Sequence, residues 1–474
     1  MLFSSLTFLF IFLPIVLLLY YTVFAKSIAA RNGLLLIASL IFYAWGEPRF
    51  ILIMILSIVV NYGFGIMIER FNDKRKLLLV IDVIFNLSLL YIFKYLNFTV
   101  QNINNLFGNV LPQTSIVLPI GISFFTFQAM SYVIDVYRKD VGAQKNPFYV
   151  ALYISFFPQL IAGPIVRYTD IEERLRNRKV TSDSMADGIR WFIIGLSKKV
   201  LIANNLAVIA DGAFANSSEG YLASTTLAWI GAICYALQIY FDFDGYSEMA
   251  IGLGKMFGFD FPRNFIYPYR AKTISEFWKY NHISLSTWFR DYVYIPLGGS
   301  RVKKHRWIFN ILIVWALTGI WHGANWIFFL WGLCYGIILI FEKELHITDK
   351  IKHFPFGIIY RAFTLIVLFV LNGVFFKNLG VEATKNIVFS MFGASAHIID
   401  NLAIEYLCEY KIILIIAVIY ALAGFCRLSE LMDNDRTGIL VKNIVSPIVY
   451  GFLMIASISY LVIGAYNPFI YFNF

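Results

Sequence analysis

Long stretches of the chain carry no charged side chain. Residues 1–25 have none, residues 95–134 form an uncharged run of 40, residues 307–341 one of 35, and residues 443–474 another of 32. A helix of about 20 residues crosses roughly 30 Å of hydrocarbon, so runs of this size predict spanning helices. They are apolar without a period of two, which excludes the strands of a transmembrane β-barrel. The pattern predicts twelve candidate spans: 3–25, 32–46, 50–68, 77–97, 116–134, 188–209, 222–241, 307–320, 324–341, 356–376, 411–426 and 443–467. The two longest runs are too long for one span each. Residues 101–114 contain four Asn and a Gly and predict an exposed loop. Residues 307–341 would be about 50 Å long as one straight helix, and Thr318, Gly319 and Gly323 interrupt them, which predicts a hairpin or a broken helix.

The placement of the few charges orients these spans. Lys26 and Arg31, then the basic stretches 70–76, 138–145, 167–190 and 427–442, are expected on the cytoplasmic side. Between them the loops 47–49, 98–115 and 211–221 hold only Glu47, Arg49, Asp211 and Glu219. Alternation then puts both termini on the outer side. Residues 146–166 have basic stretches on both flanks and contain Pro158, Gly163 and Pro164, which predicts a re-entrant or interface-lying segment. The largest polar insertion, residues 242–306, has ten Lys/Arg and six Asp/Glu and is expected in the cytoplasm within one transmembrane domain covering 1–474. It can handle a cytoplasmic substrate, or it can be a solvated basic loop beside anionic headgroups.

Composition agrees with this pattern and narrows the class. Of 474 residues, 59% are hydrophobic and only 14% charged, with a net charge of +10. A soluble domain carries about 25% charged residues, so a water-soluble enzyme, a disordered chain and a secreted disulfide scaffold are all excluded. Membrane lipid is the expected surrounding, and nothing in the pattern points to nucleic acid. Cys234, Cys334 and Cys426 lie in or beside apolar spans and Cys408 near an outer-face segment; their spacing suits packing, not a metal site.

The polar residues in apolar company carry the candidate chemistry. His322 sits between Trp321 and Gly323 inside the 35-residue uncharged run. A histidine at membrane depth is costly unless it faces protein or a cavity, and it can serve as a general base near neutral pH. A hydrogen-bonded packing histidine at a helix break is the alternative. His282 lies in a dense polar stretch, 276–292, which can order a polar acceptor or hold the phosphates of a thioester donor. A structured amphipathic helix explains the same residues. Asp242 and Asp244 follow an apolar span and suit a helix end or a pore mouth; no convincing metal-ligand set accompanies them.

Five segments taken together resemble the membrane-bound O-acyltransferase (MBOAT) family, in particular its bacterial branch with the alginate O-acetyltransferase membrane subunit. They are residues 121–128 (Gly-Ile-Ser-Phe-Phe-Thr-Phe-Gln), 157–165 (Phe-Pro-Gln-Leu-Ile-Ala-Gly-Pro-Ile), 238–252, 282–301 and 318–326, in order over about 200 residues. The resemblance implies an all-α, polytopic fold of about 11–12 transmembrane helices and re-entrant segments around a central tunnel. It implies His322 as the principal catalytic residue and His282 as the second histidine. Within the matching segments it points to Gln128, Gln238, Asp242, Ser284, Arg290, Asp291, Tyr292, Trp321 and Asn325 as substrate-binding residues. Asn281 stands where relatives usually have Trp, and Asp244 where they usually have Ser.

The implied reaction is O-acyl transfer, with acetyl from a cytoplasmic thioester, acetyl-CoA, moved toward a hydroxyl outside. No bound cofactor is expected. An extracytoplasmic acyltransferase-type partner acting on polysaccharide, a cytoplasmic acyl donor or carrier protein, and a bacterial inner-membrane location go with it. D-alanyl transfer to teichoic acid from a carrier-protein thioester is the alternative within the family. Broken helices around midplane polar groups also describe a secondary transporter, but polar residues concentrate between 238 and 326 and no inverted halves are visible.

Overall fold

A computed structural model describes residues 1–215, 223–433 and 436–468. Glu219, used above to place an outer loop, lies outside the described residues. Every regular element among these residues is helical. Among the described residues, eight helices are long and apolar enough to cross a membrane, or nine if one bent pair counts as a single span. The all-α, polytopic membrane class is therefore correct, with fewer full-length spans than the twelve the hydropathy predicts. The chain forms two compact units, Met1–Phe192 with Ser247–Pro262, and Ile193–Tyr246 with Arg263–Phe474.

In the first unit, α1 (Phe8–Tyr21) is shorter than the predicted span 3–25. Helices α2 (Ile28–Gly46) and α3 (Ile51–Arg70) follow the predicted boundaries closely. Helix α4 (Asn72–Phe107) runs on through residues 101–107, which the sequence assigns to a loop. The asparagines explain the extension, because they bond inside the helix and at its end. Asn102 Nδ2 donates to Phe98 O at 2.7 Å, and Asn104 bonds both the N–H (2.9 Å) and the C=O (2.7 Å) of Leu111. The loop starts about two turns later, at Gly108, with φ +83°.

Polar side chains inside apolar helices act here as glue. Asn61 of α3 and Asn86 of α4 exchange amide hydrogen bonds at 3.2 and 3.0 Å. The following helix, α5 (Ile122–Arg138), has nearly every residue buried. Residues 146–166 are broken as predicted, into α6 (Pro147–Ser155) and α7 (Phe157–Leu160). Arg178, counted above among the cytoplasmic charges, is buried: its guanidinium donates to Tyr20 Oη (3.0 Å), Phe257 O (3.0 Å) and Asn32 Oδ1 (2.6 Å). Burial pulls its pKa below the ordinary arginine value.

The second unit takes the later part of α8 (Ser182–Phe214) and the earlier part of α9 (Thr225–Phe257). Both have 33 residues. The sequence ends the span at 241, but α9 continues through Asp242 and Asp244 to Phe257, so these carboxylates sit in mid-helix, not at a helix end. Small residues let the backbones touch: a methyl group added to Gly245 would lie 2.7 Å from Gly195 O. Beyond α9, short helices α10 (Ile274–Tyr280) and α11 (Ile283–Phe289) lead to the predicted hairpin, α12 (Lys304–His322) and α13 (Trp326–Glu344). Its arms meet so closely that a methyl group on Gly332 would lie 2.2 Å from Trp315 O.

Helix α14 (Phe356–Gly373) continues through a 3-10 turn at Phe375–Lys377. The predicted span 411–426 is instead the bent pair, α15 (Lys411–Ala421) and α16 (Gly424–Met432), at 66°. The chain then enters α17 (Arg436–Val462), whose Ile444, Ile448, Phe452 and Ile455 are exposed. Apolar side chains left uncovered in such numbers are the surface of a protein solvated by lipid.

Candidate active site

The two histidines come together in the second unit by different local routes. His322 is the last residue of α12, where Gly323 takes an extended conformation and ends the helix. Asn325 caps the return arm, its Oδ1 accepting from Ile327 N at 2.9 Å. His282 precedes α11 with φ +47° and ψ +50°, in the left-handed region that side chains other than Gly adopt rarely. Strain of this kind persists where surrounding structure imposes it. Here Ile283 N donates to Asn264 O at 2.9 Å, and Ser284 N and Oγ donate to Asn264 Oδ1 at 3.1 and 2.9 Å.

The imidazole centroids lie 6.3 Å apart, and both rings line a small cavity of about 40 Å³. Aromatic side chains hold them. His322 meets Trp331 at 5.1 Å and Phe376 at 5.0 Å, and His282 meets Phe265 at 5.9 Å and Phe243 at 6.1 Å. Neither ring nitrogen of His282 has a hydrogen-bond partner among the described residues. Burial pushes the pKa of His282 down to about 3, so its imidazole is neutral at physiological pH. Asn372 of α14 lines the same cavity and fixes its wall: Trp331 Nε1 donates to Asn372 Oδ1 at 3.3 Å and Tyr335 Oη at 2.9 Å.

A cavity lined by two histidines, a fixed amide and aromatic rings brings proton-transfer groups into a small, mostly apolar space. The model of the membrane-bound O-acyltransferase family, MBOAT, matches residues 123–379, a range that includes both histidines and every side chain just named as a cavity wall. A probable alginate O-acetylase from Pseudomonas syringae pv. tomato is 40% identical over 92% of this chain and 83% of its own length. A peptidoglycan O-acetyltransferase from Helicobacter pylori is 35% identical over 85% and 82%. A teichoic acid D-alanyltransferase from Bacillus subtilis is 29% identical over 49% and 62%. The chain belongs to the MBOAT family. It is a multi-pass membrane O-acyltransferase.

The other candidate residues of this MBOAT chain are dispersed. Gln128 belongs to the first unit, on α5, buried, with no hydrogen-bond partner for its side-chain amide among the described residues. Gln238 is buried on α9, where its neighbours Ile239 and Tyr240 line the histidine cavity. Asp242 and Asp244 form two buried ion pairs with α8: Lys199 Nζ to Asp242 at 2.7 Å and Lys198 Nζ to Asp244 at 2.6 Å. Ser284 supports the His282 backbone as described. Trp321 meets both histidines, at 6.0 Å from His282 and 5.0 Å from His322. Tyr292 stacks on Trp288 at 5.2 Å, and Arg290 pairs with Asp291 at 2.7 Å at a second cavity.

Several wall residues escape a reading of the sequence. Phe243, Phe265, Trp331 and Phe376 look like ordinary apolar core in a chain with 46 Phe and 10 Trp. Asn372 had a signal: it is an amide between Leu371 and Gly373 in an apolar span, and such a group needs partners. Asn281, the departure from the family pattern, also lines the cavity beside His282.

Proposed function

We propose that the chain transfers an acetyl group from cytoplasmic acetyl-CoA to a hydroxyl of an extracytoplasmic polysaccharide or of a partner acyltransferase that modifies one. The observation that carries this reading is the pair of buried histidines 6.3 Å apart in a cavity of about 40 Å³. A water-sized site takes ~10–15 Å³, so the space suits a two-carbon acyl group and not a chain. In the reaction His322 takes the hydroxyl proton as the oxygen attacks the thioester carbonyl. The tetrahedral intermediate collapses by breaking the C–S bond, and the proton passes from His322 to the departing thiolate. In this reading His282, neutral and N–H bearing, donates to the developing oxyanion. Asn325 is less suited to that role, since its side chain is held at the cap of α13 and is not part of the wall of the histidine cavity.

The D-alanyl alternative needs a partner for an ammonium group, and the cavity wall includes no carboxylate among the described residues. An unpaired buried charge is costly. Two relatives named as acetyl-transfer enzymes also cover more of this chain than the D-alanyl relative does. The positive-inside pattern supports a bacterial inner-membrane location with both termini extracytoplasmic. The test is to supply inverted vesicles with labelled acetyl-CoA or with a labelled D-alanyl carrier protein and follow label into glycan and partner protein. Label from acetyl-CoA is expected; transfer from the D-alanyl carrier alone would overturn the donor assignment.

A further inference from the structure

A larger cavity, of about 260 Å³, lies in the same unit, and the residue common to its wall and the wall of the histidine cavity is Trp278. The two spaces differ in chemistry. The histidine side is walled mostly by rings, with two amides and the aliphatic Ala236 and Ile239. The larger side has Ser275, Ser286, Lys279 and Arg290 around an apolar interior that includes Leu339. Trp278 stands between Trp315, which lines the larger cavity, and Trp331, which lines the smaller, with centroid distances of 4.7 and 5.8 Å. Tyr335 closes on it at 5.1 Å. The indole is about nine-tenths buried, and its Nε1–H has no hydrogen-bond partner among the described residues.

An indole N–H buried in this way normally finds an acceptor. A thioester donor offers what the two cavities lack: carbonyl oxygens on a long amide arm, phosphates for Lys279 and Arg290, and a small acyl end. Arg290 is already bridged to Asp291, which leaves Lys279 as the simpler phosphate contact. We propose that the larger cavity holds the arm of the thioester donor and that Trp278 is the partition setting acyl size, its N–H donating to a carbonyl of the arm while its ring admits a two-carbon acyl group to the histidines. This rests on the acyl-transfer reading. Trp278 is then a specificity-determining residue, and the selectivity comes from a rigid aromatic cage.

The experiment compares inverted vesicles carrying wild type, W278A, W278F and S286W, each supplied with labelled acetyl-CoA or labelled butyryl-CoA. W278A is expected to raise the butyryl-to-acetyl transfer ratio at least tenfold. W278F keeps the ring and is expected to keep the ratio while raising KM for acetyl-CoA severalfold. S286W, which fills the larger cavity, is expected to raise that KM with the ratio unchanged. A W278A protein that transfers acetyl with the wild-type ratio overturns the partition. If W278A does not fold, W278F and S286W decide: wild-type KM in both overturns the donor chamber. Wild type that transfers neither group defeats the acyl-CoA reading itself, an outcome separate from wild-type transfer with unchanged variants.

Discussion

Along a single helix, α9, two groups of buried side chains follow opposite rules. Asp242 and Asp244 are closed off, each held by a lysine of α8 at 2.7 and 2.6 Å. Within two turns of them, Ile239, Tyr240 and Phe243 face the cavity where His282 keeps both ring nitrogens without a hydrogen-bond partner among the described residues. The charged group looks more like a site in the sequence, yet its charges are spent on each other. The open polar groups sit where the walls are aromatic. In a low-dielectric interior a satisfied ion pair locks two helices, whereas an unsatisfied imidazole has capacity left for a ligand.

Four experiments break or sharpen this contrast. The largest effect is expected at His322. H322A should lose about 10²–10⁴ of the acyl-transfer rate in vesicles while its thermal unfolding in detergent stays near wild type; full activity in folded H322A would remove the histidine chamber as the site. The ion pairs should behave in the reverse way. D242N leaves Lys199 buried and uncompensated, at a cost of about 3–5 kcal/mol, read as a lower unfolding temperature, and K199M/D242L should recover most of it. A stable D242N with a raised acceptor KM would instead place Asp242 in the substrate path.

The third test uses pH. His282 is held neutral with a folded pKa of about 3 against an ordinary value of 6.5. The unfolded chain therefore binds the extra proton first, and stability present above pH 6.5 falls as pH drops toward 3, by about 1.4 kcal/mol per unit at most. H282Q should flatten that slope in a melting series between pH 7 and 5. The same depression means that a bell in the rate profile between pH 5 and 8 should survive in H282Q. The smallest effect on the transfer rate is expected for N372L. It leaves Trp331 Nε1 and Tyr335 Oη without their shared acceptor, worth about 1–3 kcal/mol per stranded group, and should lower the transfer rate severalfold without altering donor KM.

The readability of these features in the sequence follows their range along the chain. The hairpin at 307–341 was legible because glycines interrupt an uncharged run within a few residues, and the break falls at Gly323. The broken segment 146–166 was legible from Pro158, Gly163 and Pro164. The loop at 101–107 was misread, since Asn side chains bond to helix backbone as readily as they end helices. The span at 3–25 was drawn too long, the helix covering Phe8–Tyr21, and the 66° bend within 411–426 was not visible, because hydropathy registers neither helix ends nor bends. His322 was conspicuous as the one histidine in 35 residues of uncharged sequence; Trp278, Trp331 and Phe376 were indistinguishable from packing.

What the sequence alone determined is what depends on local order: lipid as solvent, helix as the secondary structure, the hairpin break and the two histidines as polar groups needing a reason. What only the tertiary structure decided is which of the buried polar groups meet each other. Residues 40 positions apart, His282 and His322, share a cavity, while Asp242 and Lys199 neutralise one another across 43. Both outcomes are distances between helices. Hydrophobicity drives burial without direction, so it puts all these groups inside, and only the close approach of particular backbones, as at Gly195 and Gly245, fixes which partners each one finds.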